Sequence, residues 1–181
     1  MTLSQFTIQA IGIFAMGFNI LSYQRKTRGG AIGFQLCGGL LFSLHFFLLG
    51  AYAGGLLNAV AVVRAVVFLN KQRLKAEHPL WLWGFIGVYL LSYWMTFAVF
   101  GTAVNAKNLL VEFLPVIGMT ATTLSFRLTD AKAIRRYGLI SSPSWLVYNI
   151  ANASIGAICC EVLSLGSIML GMLRLDRKSK G

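Results

Sequence analysis

The sequence predicts an all-α membrane protein with seven transmembrane helices, and three observations lead to this prediction. Of its 181 residues, 57% are hydrophobic and only 12% are charged, which is about half the charge of a typical soluble domain. Apolar runs of membrane-spanning length recur along the whole chain. Short basic clusters separate these runs at every second connection, as expected for loops that share one membrane face.

Seven segments are long and apolar enough to cross a bilayer, which takes about 20 residues per helix. The predicted spans are residues 5–24, 31–50, 52–70, 80–100, 108–126, 138–153 and 154–173. The sixth span is short, and tight turns are expected near Gly50 and Ala153.

The basic residues predict the orientation. With seven spans, 14 of the 16 lysines and arginines follow spans one, three, five and seven, and the two exceptions are Lys107 and Arg64. Because positive charge marks the cytoplasmic side, we expect an outer N-terminus and a cytoplasmic C-terminus. The net charge of +11 is thus spread over short loops. It offers no folded basic face to nucleic acid, so the bilayer is the expected partner.

An internal repeat relates the two ends of the chain. An offset of 103 residues aligns LSY at 21–23 with LSF at 124–126 and needs no gap from about residue 8 to 64. Spans one to three then correspond to spans five to seven. Span four restores the direction of the chain, so the repeats are expected to be parallel, about an axis along the membrane normal.

The repeat predicts the domain organisation. Residues 1–70 form a first three-helix bundle, and residues 71–107 form a linker that contains the fourth helix. Residues 108–174 form the second three-helix bundle, and residues 175–181 form a basic cytoplasmic tail.

The same offset pairs polar and aromatic side chains that would suit a solute cavity. It pairs Asn58 with Glu161, and each lies about seven residues, or about 10 Å, from the outer end of its helix. Phe42 pairs with Trp145, and these would form aromatic walls. Two polar groups at matching depth would face each other across the axis, where parallel-repeat transporters bind substrate.

Three further residues complete the candidate substrate site. His45 pairs with Tyr148 under the offset, and both would lie one turn further out. Asn149 adds an amide to the aromatic cluster of span six. His45 could relay protons, or it could be a hydrogen-bonded packing residue between helices.

Glu161 is the most informative of these residues. A carboxylate in the membrane costs about 2.5–3.5 kcal/mol on insertion scales, so Glu161 must face a cavity, pair with a cation or stay protonated. Arg64 is the possible partner for an ion pair or for coupling. It also lies close enough to the cytoplasmic end for its side chain to snorkel.

The sequence predicts no cofactor and no metal site. The three cysteines, Cys37, Cys159 and Cys160, lie in apolar runs without the spacing of a disulfide framework or a metal site. We interpret them as small packing residues. The second histidine, His78, lies in a cytoplasmic loop, far from His45.

Three segments resemble the YgjV-like family of small bacterial inner-membrane proteins. They are HFFLLGAYAGGLLNAV at 45–60, VEFLPVIG at 111–118 and WLVYNIANASIGAICCE at 145–161. The resemblance covers most of the chain and implies a multi-pass protein of the bacterial inner membrane. It carries no activity that could be transferred.

The chain also resembles, more distantly, the SWEET and PQ-loop transporters. TTLSF occurs at 122–126, Trp145 precedes Glu161 by sixteen residues, and Phe42 precedes Asn58 by sixteen. This resemblance implies a 3+1+3 layout in which these four residues line a sugar-sized pocket. The chain departs from that pattern by having no Pro-Gln dipeptide, Phe for Trp in one repeat and Glu for Asn in the other.

The preferred hypothesis is therefore a facilitative or proton-linked transporter of a small polar solute. The alternative is a non-transporting scaffold or accessory protein, whose basic cytoplasmic rim could hold anionic lipid. An enzyme is not expected, because no general base lies beside Cys159 and Cys160 in the sequence.

Overall fold

The computed structural model describes residues 3–48, 52–99, 101–151 and 155–176, and these residues form helices and short connections without any strand. The seven α-helices are α1 (Leu3–Ser22), α2 (Arg28–Leu48), α3 (Tyr52–Leu69), α4 (Pro79–Ala98), α5 (Ala106–Arg127), α6 (Ala131–Ala151) and α7 (Ile155–Gly171). A π-helical turn, Met172–Asp176, extends α7. The prediction of an all-α chain with seven helices is confirmed for the described residues. The turns predicted near Gly50 and Ala153 lie outside them.

Helix α6 begins at Ala131, seven residues before the predicted start of span six. The prediction excluded this turn because its lysine and arginines are too polar for a membrane span. The structure shows why it is helical: the Asp130 carboxylate accepts a hydrogen bond from the Lys132 backbone N–H at 2.9 Å, as an N-cap does. Arg135 is 3% exposed and is paired with Asp176.

The helices pack as two groups of three, with α4 at the side. In the first triplet, α2 packs against both α1 and α3, and in the second triplet, α6 packs against both α5 and α7. The triplets meet through α1 with α7, α3 with α5 and α2 with α6. Helix α4 packs on α5 and, less extensively, on α3.

The outer surface is strongly apolar, as expected for contact with lipid. Leu110 is 72% exposed and Trp94 is 60% exposed, and in α4 only Phe85 and Tyr89 are buried. Within the described residues, the helices long and apolar enough to cross a membrane are Pro79–Ala98, Ala106–Arg127 and Ala157–Asp176, and the shorter apolar helices are Thr7–Ser22 and Gly55–Leu69.

One end of the bundle gathers the basic connections, and Arg28 joins two helix ends there. Its guanidinium donates to the carbonyl of Phe126 at 3.0 Å and to the carbonyl of Phe68 at 3.1 Å. These carbonyls belong to the last turns of α5 and α3, which have no intrahelical donor. Arg28 therefore holds α3 and α5 together at this basic end.

Arg135 makes the corresponding connection between α1 and α7. It pairs with Asp176, which follows α7. It also donates to the carbonyl of Arg25, which follows α1, at 3.1 Å. We call Arg28 and Arg135 the basic-end clamps.

A third contact at this end lies in the loop between α3 and α4. The Lys71 ammonium lies 2.8 Å from the Glu77 carboxylate and also donates to the carbonyl of Arg127. The hydrogen bond and charge of Lys71 lower the pKa of Glu77. Arg127 in turn donates to the Glu77 carbonyl at 2.7 Å, so this loop is tied to the end of α5.

Gly171 allows the ends of α1 and α7 to touch. A Cβ at Gly171 would lie 2.6 Å from the Tyr23 carbonyl oxygen and 2.9 Å from Cδ of Arg135, whereas a Cβ at Gly166 would meet nothing within 4 Å. We expect Gly171→Ala to lower the free energy of unfolding by about 1–3 kcal/mol, as overpacking does. Gly166→Ala should be neutral or slightly stabilising. Equal unfolding midpoints of the two variants in detergent would contradict this packing.

Candidate functional site

A cavity of about 170 Å³ lies among the helices of both triplets. Every helix except α4 contributes to its wall, and Tyr23, just beyond α1, adds a phenol ring. More than half of the lining residues carry an amide, a hydroxyl or a charge. Such groups are costly inside a membrane unless they face water, a partner or a ligand. This cavity is the candidate functional site.

Six of the eight residues proposed from the sequence for substrate binding or coupling line this cavity: Phe42, Asn58, Arg64, Trp145, Asn149 and Glu161. They come from four helices that belong to both triplets. The structure thus brings residues that the sequence offset paired to one space, and their role in binding a solute stays a prediction.

His45 lies outside the cavity. Its Nδ1 is 2.8 Å from the carbonyl oxygen of Ile8, and the side chain is 8% exposed. The imidazole fills the space beside Gly12, where a Cβ would approach the ring to 2.9 Å. It also contacts the Phe42 ring edge-on, with centroids 6.5 Å apart. His45 therefore packs between α1 and α2 and supports a cavity wall from behind.

Tyr148 also supports the wall without lining it. Its ring lies edge-to-face against Trp145, with centroids 5.8 Å apart and an interplanar angle of 89°. Its hydroxyl lies beside the Glu112 carboxyl on α5. Glu112 is thus a second carboxyl within the helices, and the sequence suggested no role for it.

Within the described residues, Glu161 lies among hydroxyl groups and forms no salt bridge. Its carboxyl lies beside the Ser142 side chain on α6, and Ser142 in turn lies beside the Tyr23 hydroxyl. A serine hydroxyl can accept one hydrogen bond while it donates another. The Ser142 hydroxyl is therefore able to serve both of its neighbours in the cavity wall, the Tyr23 hydroxyl and the Glu161 carboxyl.

Arg64 and Glu161, the possible ion pair, do not contact each other as an ion pair within the described structure. Arg64 donates from Nη1 to the Tyr89 hydroxyl at 3.2 Å and to the Met119 carbonyl at 3.1 Å, and its guanidinium carbon lies 5.2 Å from the centroid of the Phe126 ring. The side chain is 5% exposed, so it does not snorkel to the helix end. It extends towards α4 and α5, whereas Glu161 lies beside Ser142 on α6.

Sequence reasoning missed Tyr23, Ser142 and Thr122 as lining residues. The repeat offset was a usable signal for two of them, because it pairs Ser142 with Gly39 and Thr122 with Asn19. All four of these paired residues line the cavity. Tyr23 had no such signal, since its place in the wall depends on the turn that follows α1.

The two neighbouring cysteines of α7 differ in their surroundings. Cys160 is buried and lines the cavity, while its neighbour Cys159 is exposed. No group of three or more His, Cys, Asp or Glu side chains that could hold a metal ion occurs within the described ranges.

The family model for Imp-YgjV, described as bacterial inner membrane protein, matches residues 6–179. The chain therefore belongs to this family and is a multi-pass protein of the bacterial inner membrane. No curated protein and no solved structure matches the chain. The resemblance to the YgjV-like family is confirmed, and the more distant one to SWEET and PQ-loop transporters stays a prediction.

Proposed function

We propose that the protein is a facilitative or proton-linked transporter that moves a small polar solute through the central cavity. The observation that carries this proposal is the polar wall of a cavity enclosed by apolar, lipid-exposed helices. Amides and charges that face an empty space inside a membrane protein do not contribute to its stability. A solute that passes through the space gives those groups partners.

The helix boundaries support two parallel repeats. Helices α1, α2 and α3 begin at residues 3, 28 and 52, and each start lies 103 residues before the start of α5, α6 and α7 respectively. The contacts between the triplets have the same symmetry: exchanging the triplets converts the α1–α7 contact into the α5–α3 contact and leaves the α2–α6 contact unchanged. This arrangement is expected for repeats related by a two-fold axis along the membrane normal.

The cavity wall follows the same symmetry. Five pairs of lining residues are separated by 103 positions: Asn19 and Thr122, Gly39 and Ser142, Phe42 and Trp145, Asn58 and Glu161, and Ala61 and Ser164. A cavity built from equivalent positions lies where the axis would pass. Parallel-repeat transporters bind their substrates at this interface between repeats.

The basic-end clamps are proposed to close one end of this route. Arg28 lies at the start of α2 and Arg135 in the first turns of α6, and these are the middle helices of the two triplets. When the offset of 103 residues is applied, the two positions differ by about one helical turn. Each joins the end of the third helix of its own triplet to the end of the first helix of the other. In the proposed cycle, solute release at the basic end requires both clamps to open.

The basic end is proposed to face the cytoplasm, because lysine and arginine mark that side of an inner membrane. A reporter that is active only in the cytoplasm should therefore be active when it is fused after Gly181. A cysteine introduced at Asn105 should react with an impermeant thiol reagent added outside. Labelling from outside at Thr27 would overturn the orientation and the seven-span topology together.

A cavity-filling pair of variants tests transport directly. Ala61 lines the cavity, whereas Val63, two residues along α3, is 57% exposed on the outer surface. In proteoliposomes, Ala61→Phe should abolish solute uptake because the phenyl ring occupies the cavity. Val63→Phe should leave uptake unchanged, because it adds the same ring on the lipid side.

Equal uptake by both variants would contradict a route through this cavity. If the unmodified protein moved no sugar, amino acid, organic acid or inorganic anion and bound none, the transport proposal would fall. Recovery of a stable stoichiometric complex with another inner-membrane protein would then favour the scaffold alternative.

A further inference from the structure

Arg64 is a buried cation without a carboxylate partner. It is 5% exposed within a membrane helix, and its Nε is buried with no hydrogen-bond acceptor within the described residues. All five acidic residues of the chain lie in the described ranges. The ion pairs formed there are Lys71 with Glu77 and Arg135 with Asp176. The positive charge of Arg64 is therefore not neutralised by any described side chain.

This lack of a partner is unusual, because charged side chains within membrane helices almost always pair or face a water-filled cavity. The contacts that Arg64 does make are to neutral groups: a tyrosine hydroxyl, a backbone carbonyl, a thioether at 3.5 Å and an aromatic ring. These contacts hold the guanidinium in place, but they contribute no negative charge. Arg64 also lines the cavity, so a ligand in the cavity can supply the negative charge.

We propose that the cavity binds a small organic monocarboxylate, with the carboxylate group on Arg64. This inference rests on the proposed transport function and names its class of solute. A guanidinium offers paired donors that match the two oxygens of a carboxylate. Arg64 is the only lysine or arginine in the described cavity wall, so one negative charge is enough to neutralise it.

The rest of the wall favours a monocarboxylate over a phosphate-like dianion. Glu161 lines the same cavity, and a second negative charge on the ligand would be repelled by it whenever it is ionised. An ionised carboxylate accepts hydrogen bonds and donates none. Glu161 is therefore suited to a donor on the solute, which is a hydroxyl in a hydroxy acid or an ammonium in an amino acid.

The volume of the cavity limits the solute. At about 170 Å³ it is smaller than the roughly 300–1,000 Å³ of sites for drug-sized ligands. The aromatic rings of Phe42 and Trp145 form apolar parts of the wall, which suit the short carbon skeleton of such an acid.

The test compares acids with their amides on the intact protein. Thermal unfolding of the purified full-length chain in detergent is measured with L-lactate against L-lactamide and with L-alanine against L-alaninamide. D-glucose and inorganic phosphate serve as neutral and multiply charged probes. A ligand that binds the folded state raises the unfolding midpoint. We expect at least one acid to raise it and the matching amide, glucose and phosphate to leave it unchanged, and the better of the two acids identifies the hydroxy-acid or amino-acid class.

Variants of Arg64 add a second measurement. Loss of a charge-assisted hydrogen bond should weaken binding of the acid by about tenfold to a hundredfold in Arg64→Gln. Arg64→Lys should weaken it less, because the charge remains while the fork of donors is lost. Should Arg64→Gln fail to fold, the comparison of acid with amide on the unchanged protein decides the question.

The outcomes separate the two proposals. Stabilisation and uptake of glucose or an amide, with no effect of the acids, would overturn the carboxylate assignment and leave the transport proposal standing. Equal binding of an acid by the unchanged protein and Arg64→Gln would also overturn the assignment. The absence of binding and uptake for every probe would overturn the carboxylate assignment, and it would overturn transport as well if the wider set of solutes gave the same result.

Discussion

Replacing Arg135 by glutamine is expected to destabilise the protein more than any other single change at the basic end. Arg135 is 3% exposed and joins the start of α6 to Asp176 and to the carbonyl of Arg25. Removing one partner of a buried ion pair costs about 3–5 kcal/mol. The Asp176 side chain is 16% exposed and retains some solvent. The loss should therefore lie near the lower value, about 3 kcal/mol.

The adjacent arginine provides the control. Arg136 is exposed, so Arg136→Gln should change the unfolding midpoint little. Adding Asp176→Asn to Arg135→Gln should recover part of the loss, because it removes the carboxylate with which Arg135 paired. If Arg135→Gln and Arg136→Gln unfold at the same temperature in detergent, Arg135 does not hold the ends of α1 and α7 together.

Hydropathy and charge were sufficient to predict the helical architecture. A membrane helix satisfies its backbone internally, so apolar length alone located six of the seven helices within a few residues. The basic residues around Arg28, Lys71 and Arg127 marked one end correctly, and in the structure these side chains contact one another's helix ends. The described structure leaves the orientation of that end across the membrane as a prediction.

The start of α6 was mispredicted because the prediction relied on the polar composition of this turn. The turn is helical because its charged side chains find partners elsewhere in the structure. The turn that contains Lys132, Arg135 and Arg136 looks too polar for a membrane segment. Asp130 caps it, and Asp176 neutralises Arg135 from 41 residues away. Such a distant partner leaves no local signal in the sequence.

The sequence offset paired residues that behave alike in the structure. It did not predict which of these pairs line the cavity. Asn58 and Glu161 line one space, as the pairing suggested. His45 and Tyr148 occupy equivalent positions and both turn away from it, one towards α1 and the other towards α5. The rotation of a helix is set by its packing, which a sequence offset does not report.

The sequence left the partner of Arg64 open between Glu161 and the cytoplasmic end of its helix. Opposite charges that are rare in a membrane sequence suggest a pair, because each alone is costly. In the structure, Arg64 finds a tyrosine hydroxyl and a backbone carbonyl, and Glu161 finds a serine hydroxyl. Neutral groups on neighbouring helices thus take the place of an ion pair between Arg64 and Glu161. Both side chains are left available to a ligand in the cavity.

Glu161→Gln is expected to fold normally and to lose most solute binding and transport. The amide keeps the size of the side chain and can still accept a hydrogen bond from Ser142. What it removes is the carboxyl group in the cavity wall. Loss of a charge-assisted hydrogen bond to the solute should weaken binding by about tenfold to a hundredfold. If transport is proton-linked, its dependence on pH should also flatten, because the residue can no longer titrate.

Glu112→Gln is the matched control, since Glu112 is also a carboxyl within a helix but does not line the cavity. It should leave the affinity for solute near that of the unchanged protein. Adding Arg64→Gln to Glu161→Gln should restore no stability, because the two side chains do not pair. A destabilised Glu161→Gln that Arg64→Gln rescues would mean that the ion pair forms after all. A stable Glu161→Gln with unchanged transport would mean that the carboxylate is only tolerated, and the cavity would then need another residue to recognise its solute.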